Sequence, residues 1–281
     1  MLKRFLLLLP KSWKFRIKSL LFAPFDLFDH LRGKRKQLTP RRSLLFVGRG
    51  DFVRIGREFL DIFKTKAGLL PSDTVLDVGS GIGRMAIPLT DYLENRYEGF
   101  DVVPEGVNWC QKYISSRFPN FNFQLADIYN RSYHPSGKVR ANAYVFPYEQ
   151  DSFSFVFATS VLTHLLPDAV DNYISQIARV LKPDGRCLLT FFLLNDRSRE
   201  NLECGHAQAD FKIENGTYSI VDKDMPENAV AYDEGFVEAL LDSHGLCPTS
   251  VSYGSWSGSL GCLSFQDVVI ATFKRSPRGV V

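Results

Sequence analysis

The chain has 281 residues, 45% of them hydrophobic and 23% charged, which suits one large α/β domain with additions and excludes a globally disordered chain. Its five cysteines, Cys110, Cys187, Cys204, Cys247 and Cys262, are odd in number and form no Cys-x-x-Cys pair, so no disulfide framework is expected and a reducing, cytoplasmic setting is. The formal charge of +3 is unevenly spread: residues 1–42 hold twelve Lys/Arg and two Asp, net +10, which leaves the remainder at −7.

Residues 1–42 read as a basic amphipathic extension. The apolar run Phe5–Leu9 stops at Pro10, too short for a signal-peptide core or a bilayer span. From Lys11 to Leu21, Trp13, Ile17, Leu20 and Leu21 fall at helical spacing, with Lys11, Lys14 and Lys18 between them. Such a face either lies on an anionic membrane, as a peripheral contact through residues 1–36 on its inner face, or packs on the domain's own core or lids its site. No nucleic-acid recognition motif accompanies the charge, so no such partner is expected.

Residues 43–281 read as one domain with insertions at 128–151 and 195–231. Asp51 is placed to cap a helix to about Leu69, with Phe52, Ile55, Phe59, Leu60 and Phe63 on its buried stripe. Thr74–Val78 is a buried strand. A tight turn, Gly79-Ser80-Gly81-Ile82-Gly83-Arg84, leads from it into a helix ending near Leu93. Strand Tyr97–Phe100 closes on Asp101, Pro104 opens a helix to about Phe118, and strand Phe121–Leu125 follows. The polar connection 128–151 leads to strand Phe153–Ala158. A helix from about Asp168 to Leu181 is stopped by Lys182-Pro183-Asp184-Gly185, ahead of the apolar strand Arg186–Leu194. Residues 195–231 have weak periodicity, with room for a short helix. Asp233 is placed to cap a helix to about His244, and strands Thr249–Tyr253 and Ser264–Phe273 close the chain. Strands alternate with helices five times before the final pair. The predicted fold is α/β: a Rossmann-like doubly wound sheet, mainly parallel, with a C-terminal antiparallel hairpin.

The turn after the first strand lacks bulk, so a ligand can lie against its backbone. A dinucleotide fingerprint, Gly-x-Gly-x-x-Gly, would need glycine where Arg84 stands, which argues against a nicotinamide-dependent oxidoreductase. Glycines at 79, 81 and 83, with Asp77 two residues ahead, resemble the first motif of the class I S-adenosylmethionine (SAM)-dependent methyltransferases. Asp101 lies eighteen residues past Gly83, and Asp127 follows the third strand. The stretches Phe146–Phe153 and Thr159–His164 then resemble that family's paired signature around the fourth strand. Ser154 departs from it, since many members carry Asp there. The resemblance covers roughly residues 45–275.

That resemblance implies S-adenosyl-L-methionine as cofactor. Asp77 would orient the turn amides or reach the ligand's ammonium, and Gly79, Gly81 and Gly83 would give close backbone approach. Asp101 would accept both ribose hydroxyls, its alternative being a helix cap. Asp127 would bond the adenine amine with Ile128 flanking the ring, and backbone carbonyls at Thr159 and Ser160 would hold the methionine ammonium. His164 falls at the carboxyl end of the sheet, where a base near neutral pH would serve an oxygen acceptor; otherwise it only packs at a helix start. Tyr148 and Glu149 are further candidates to shape the pocket, and His134 faces the acceptor if its loop folds inward. Cys204 and His206 alone make no metal site, and no metal is expected. The expected acceptor is a small molecule, a glycan or a lipid-linked species, with oxygen favoured. Its pocket would draw on Phe46–Phe52, both insertions and Tyr253–Gly258, with Trp256, Tyr129, Tyr133 and Tyr144 as an aromatic wall. The remaining alternative is a non-catalytic SAM-binding or membrane-docked scaffold, against which the intact glycine turn argues.

Overall fold

The computed structural model describes residues 38–274 apart from positions 47, 49 and 132; the basic amphipathic segment 1–36 lies outside the described residues. Asp51 caps α1 (Phe52–Thr65) as expected, its Oδ1 accepting the Arg54 N–H at 2.7 Å. In chain order follow β1 (Val75–Val78), α2 (Ala86–Leu89), β2 (Tyr97–Asp101), α3 (Pro104–Cys110), β3 (Phe121–Leu125), β4 (Phe153–Ala158), α4 (Pro167–Val180) and β5 (Leu181–Phe191). The remainder comprises β6 (Leu193–Leu194), α5 (Asp196–Glu203), β7 (Ile213–Glu214), β8 (Tyr218–Ile220), β9 (Val230–Asp233), α6 (Glu234–Ser243), β10 (Leu246–Ser252) and β11 (Asp267–Phe273).

Seven strands form one sheet in the order β10-β11-β5-β4-β1-β2-β3. β1 with β4, β4 with β5, and β2 with β3 pair in parallel; β11 runs antiparallel to both β5 and β10. This is the mainly parallel, doubly wound arrangement with a closing hairpin that the strand–helix alternation predicts. Every residue of β1 is buried, as in a strand covered on both faces.

The chain divides into two compact units, residues 1–61 with 80–140 and residues 62–79 with 141–281. In the first, the helix after the glycine turn is only the four-residue α2. Pro88 lies inside it and removes an amide, and Thr90 Oγ1 donates to the Ile87 carbonyl at 2.7 Å. The helix from Pro104 passes into a π-helical turn at Gln111–Ser115, where Gln111 Nε2 donates to the Phe123 carbonyl at 2.8 Å.

In the second unit, Phe63 packs on Phe155 and Phe157, with ring centroids 5.5 and 4.6 Å away. Lys182–Gly185, expected as a turn before the fifth strand, is instead a bulge within it: pairing steps from Phe153 with Leu181 to Phe155 with Arg186. The insertion 195–231 is more ordered than its weak periodicity suggests. It holds α5 and most of a second sheet, β6-β9-β8-β7, whose strands are two to four residues long and too short for an alternating pattern to show. Trp256, expected on an aromatic wall, is fully buried at this sheet against Phe192 and Phe211, each 5.4 Å away. Asp233 does occupy the N-cap position of α6, but its side chain makes no cap bond and pairs with Arg199 instead.

A buried ionic cluster ties the bulge to the chain entering β1. Arg186 reaches both oxygens of Asp73 (3.0 and 2.5 Å), the Ala67 carbonyl (2.8 Å) and the face of the Phe155 ring (5.2 Å). Ser154 Oγ donates to Asp73 Oδ1 at 2.7 Å. The hydroxyl at 154 thus serves the carboxylate at 73. Burial pushes the Asp73 carboxyl up, but hydrogen bonds from Arg186, the Leu70 N–H and Ser154 outweigh it and hold the group below its ordinary value. This stabilisation is present above pH 3.8 and is lost as pH falls through the lowered value. Arg186→Ala would leave Asp73 buried without its cation and is expected to cost about 3–5 kcal/mol, read by denaturant unfolding at pH 7. A loss under about 1 kcal/mol would show that the cluster is not a stabilising tie.

Candidate functional site

In the first unit the glycine turn is held from β2. Asp101, 9% exposed at the end of that strand, accepts the Gly81 N–H on Oδ2 and the Val103 N–H on Oδ1, each at 2.8 Å. Burial raises its carboxyl to about 6 despite those amides, with no cation pairing with it among the described residues. Asp101 thus holds the turn and also the N–H of Val103, the N-cap residue of α3, without making a side-chain cap bond to the helix itself. The Ser80 N–H donates to the Phe100 carbonyl at 3.0 Å, which places the Ser80 side chain over Gly99. Ser80 Oγ is buried with no hydrogen-bond partner among the described residues, a polar atom left for a ligand to satisfy.

Two residues that support this turn escape sequence reasoning. A Cβ on Gly106 in α3 would lie 2.4 Å from the Gly81 carbonyl oxygen, so glycine there lets the helix abut the turn. A Cβ on Gly99 would crowd Ser80 at 3.0 Å. Their only trace in the sequence is a glycine placed inside a helix or a strand. Arg84 is half-buried, donates to the Gly48 carbonyl at 3.3 Å and covers the Phe52 ring at 5.6 Å. Phe46 lies 6.2 Å from the Tyr133 ring, and Tyr133, raised by burial and by the Asp101 charge, sits beside that carboxylate. Phe46, Gly48, Phe52 and Tyr133 therefore reach the surroundings of the turn and Asp101.

Asp127 is half-exposed, and its Oδ1 receives the Lys138 N–H and faces His134 Nε2, both at 3.3 Å. His134 is turned toward Asp127, not outward as an acceptor-facing histidine. Ile128 is 2% exposed and bridges to Val139.

In the second unit Asp77 is 1% exposed within β1. Gly79 has φ +80°, and a Cβ there would fall 2.3 Å from Val161 Cγ2, so no side chain fits. Thr159 and Ser160 follow the end of β4. Ser160 adopts the left-handed region at φ +57°, unusual for a residue with a side chain. Its N–H donates to Thr190 Oγ1 (2.8 Å) and its Oγ to Gln266 Oε1 (2.9 Å). Thr190 Oγ1 donates to the same amide oxygen at 2.8 Å, and Gln266 Nε2 to Thr163 Oγ1 at 3.2 Å. Thr190 and Gln266 come from β5 and the residue before β11, far apart in sequence, so no local pattern announces them.

His164 closes a helical turn, Leu162–His164, and its Nδ1 lies 3.0 Å from the Glu227 carbonyl oxygen. A carbonyl can only accept, so Nδ1 carries the proton and Nε2 is the basic nitrogen. Tyr148 and Glu149 are elsewhere. Tyr148 packs edge-on to Phe153 at 5.1 Å, and the Glu149 carbonyl accepts Ser152 Oγ at 2.7 Å. Both stand at the amino end of β4, whereas His164 follows its carboxyl end, so they shape the entry to the strand and not a pocket beside His164. Among the described residues no group of three or more His, Cys, Asp or Glu is placed to hold a metal, and no helix is long and apolar enough to cross a membrane.

Residues 76–189 match the family model described as a methyltransferase domain. The 27-O-demethylrifamycin SV methyltransferase of Amycolatopsis mediterranei is 34% identical over 131 residues, 46% of this chain and 43% of that protein, so the match spans less than half of the relative's length. Among solved structures, a Pyrococcus horikoshii protein superposes with a TM-score of 0.57 at 15% identity, over 83% of this chain and 95% of that one. The magnesium protoporphyrin IX methyltransferase of Synechocystis, solved with S-adenosylhomocysteine, superposes with a TM-score of 0.52 at 16% identity, over 92% and 100%. Both likenesses are of fold. The strand order and the glycine spacing agree with the matched residues: over 76–189 the chain is similar to a methyltransferase domain.

Proposed function

We propose that the chain transfers a methyl group from SAM to the oxygen of an acceptor molecule. The observation that carries the reading is the buried Asp101 carboxylate, without a cation among the described residues, clamping the Gly81 amide at the end of β2. A carboxylate oxygen that already accepts one amide keeps a lone pair for a hydroxyl, which is what a ribose diol requires. Ser80 Oγ adds a polar group in need of a partner. Asp77, Gly79, Gly81 and Gly83 give the backbone approach, Asp127 and Ile128 the adenine contacts, and the Thr159 and Ser160 carbonyls the ammonium contact. The Ser160 backbone is held for that task by Thr190 and Gln266.

When bound, the cofactor supplies an electrophilic methyl on a positively charged sulfur. The residues of the chain have to align the acceptor oxygen with it, exclude water and take the displaced proton. His164 has the tautomer for the last role. As the acceptor oxygen bonds to carbon, its O–H bond breaks and the proton passes to Nε2, while Nδ1–H stays on the Glu227 carbonyl. The acceptor's wider identity, whether small molecule, glycan or lipid-linked, is left open by this chemistry; the relatives are named for acceptors as unlike as a rifamycin and a porphyrin.

Transfer of labelled methyl from SAM into fractions of a host extract tests the function, with Gly81→Arg as a blocked-site control. Label in one fraction identifies the acceptor class; none above the control, with S-adenosylhomocysteine still bound, overturns the enzymatic reading. His164→Gln is expected to lower kcat about 10²-fold or more with S-adenosylhomocysteine affinity unchanged, and equal turnover would remove the histidine from the mechanism.

The cofactor site predicts two further results. Gly106→Ala pushes a methyl into the Gly81 carbonyl, so S-adenosylhomocysteine affinity should fall at least about tenfold in a variant that keeps its circular dichroism spectrum. Asp101 must be ionised to accept two hydroxyls and titrates at about 6 in the free protein. Calorimetry should therefore find about tenfold weaker binding of S-adenosylhomocysteine at pH 5 than at pH 7. Asp101→Asn should bind weakly at both pH values, with this dependence gone.

A further inference from the structure

A cavity of about 590 Å³ opens in the second unit between Leu193–Ser198, Glu234, the end of β10 and the loop running to β11. Its size is that of a small-molecule site. It lies at the carboxyl ends of β5 and β10, the side of such sheets on which ligands bind. Adjacent residues link it to the turn after β4: Gln266 holds Ser160, while Asp267, facing the other way, lines the cavity. All of its lining residues fall beyond residue 189, outside the stretch matched by the family model, so it is built from parts particular to this chain.

The cavity is a constructed site. Asp267, 1% exposed, ties together two segments, accepting the Leu193 N–H (2.6 Å) from β6 and the Gly254 N–H (2.6 Å) and Trp256 Nε1–H (2.7 Å) from the loop after β10. On the wall, Glu234 accepts Tyr253 Oη–H at 2.6 Å and Asn195 Nδ2–H at 2.9 Å. The hydrogen bond to Glu234 pushes the Tyr253 hydroxyl up to about 12, so it stays protonated through neutral pH. Each Glu234 oxygen retains a lone pair, and Ser252, Ser257 and Ser259 add hydroxyls that both give and take hydrogen bonds. Leu260 and Leu263 supply apolar surface at the rim, 95% and 43% exposed, and Tyr253 the one aromatic face.

We propose that this cavity holds a polyhydroxylated part of the methyl acceptor, a sugar ring or comparable polyol. Many short two-way hydrogen-bonding groups beside one aromatic ring and two leucines match a ring whose edge is hydroxylated and whose face is apolar. A quaternary ammonium would call for an aromatic cage, which a single tyrosine does not make. Glu234 also has its charge already shared with two donors. The assignment rests on the methyltransferase reading for calling the ligand an acceptor, not for its binding.

Saturation-transfer NMR on the full chain loaded with S-adenosylhomocysteine tests it, with methyl α-D-glucopyranoside, methyl α-L-rhamnopyranoside and myo-inositol as probes and choline as cationic control. Transfer to at least one polyol is expected. Its affinity should fall about tenfold or more in Glu234→Gln and in Leu260→Asp, with S-adenosylhomocysteine affinity unchanged in both. Leu260 is almost fully exposed, so the second variant does not threaten folding. No polyol signal, a signal unchanged in both variants, or choline binding in place of the polyols would overturn the assignment. Failure of the methyltransferase reading would instead appear as a wild-type chain that binds no S-adenosylhomocysteine.

Discussion

The Asp101 carboxylate is the constraint on which the glycine turn depends. A turn of small residues can take many shapes, and by itself it has no reason to hold the one that a ligand needs. Asp101 removes that freedom by taking the Gly81 amide and, two residues on, the Val103 amide that starts α3. One side chain therefore sets the turn, the entry of the next helix and the position of the charge a ribose would meet. Gly106 and Gly99 follow from it: once the turn is fixed, the helix and strand beside it can approach only where they lack a Cβ.

Asp267 plays the equivalent part in the second unit. Its three donors come from two segments far apart in sequence: Leu193 in β6, and Gly254 and Trp256 in the loop after β10. The second sheet is thin, with strands of two to four residues, and could not stand alone. Its support is the apolar cluster of Phe192, Leu194, Phe211, Ala231 and Trp256, fastened by the carboxylate under the indole.

The sequence carried the large sheet because its strands are long or wholly apolar and each is followed by a helix with a clear stripe. It carried the placement of Asp77 in β1, of the glycine turn after it and of Asp101 at the end of β2, because these follow the strand pattern in fixed order. It did not carry the second sheet, where two-residue strands leave no period to read. Nor could it carry the Ser160–Thr190–Gln266 network, whose members are ordinary polar residues 30 to 106 positions apart. Trp256 misled for a related reason: an aromatic in a Gly/Ser loop looks exposed until the cluster that buries it is known. Tyr148 and Glu149 misled because closeness in sequence to β4 says nothing about which end of the strand they reach.

Three buried aspartates separate structural from functional charge. Asp73, Asp101 and Asp267 are 6%, 9% and 1% exposed, and burial pushes each carboxyl up. Asp73 has a guanidinium and a hydroxyl and falls below its ordinary value; the other two have only neutral N–H donors and rise to about 6. Their signs therefore oppose one another. Stability from Asp73 is present above pH 3.8 and lost in acid, whereas stability linked to Asp101 and Asp267 is full below 3.8 and lost as pH rises through about 6. At neutral pH both cation-free carboxylates are thus held ionised at a cost to the fold. A protein selected for stability alone would give them a cation, as it does Asp73. Under the proposed cofactor site the cost at Asp101 would have a use: a carboxylate paired only with amides keeps lone pairs and field for the hydroxyls of a nucleoside, which a neighbouring arginine would take up first.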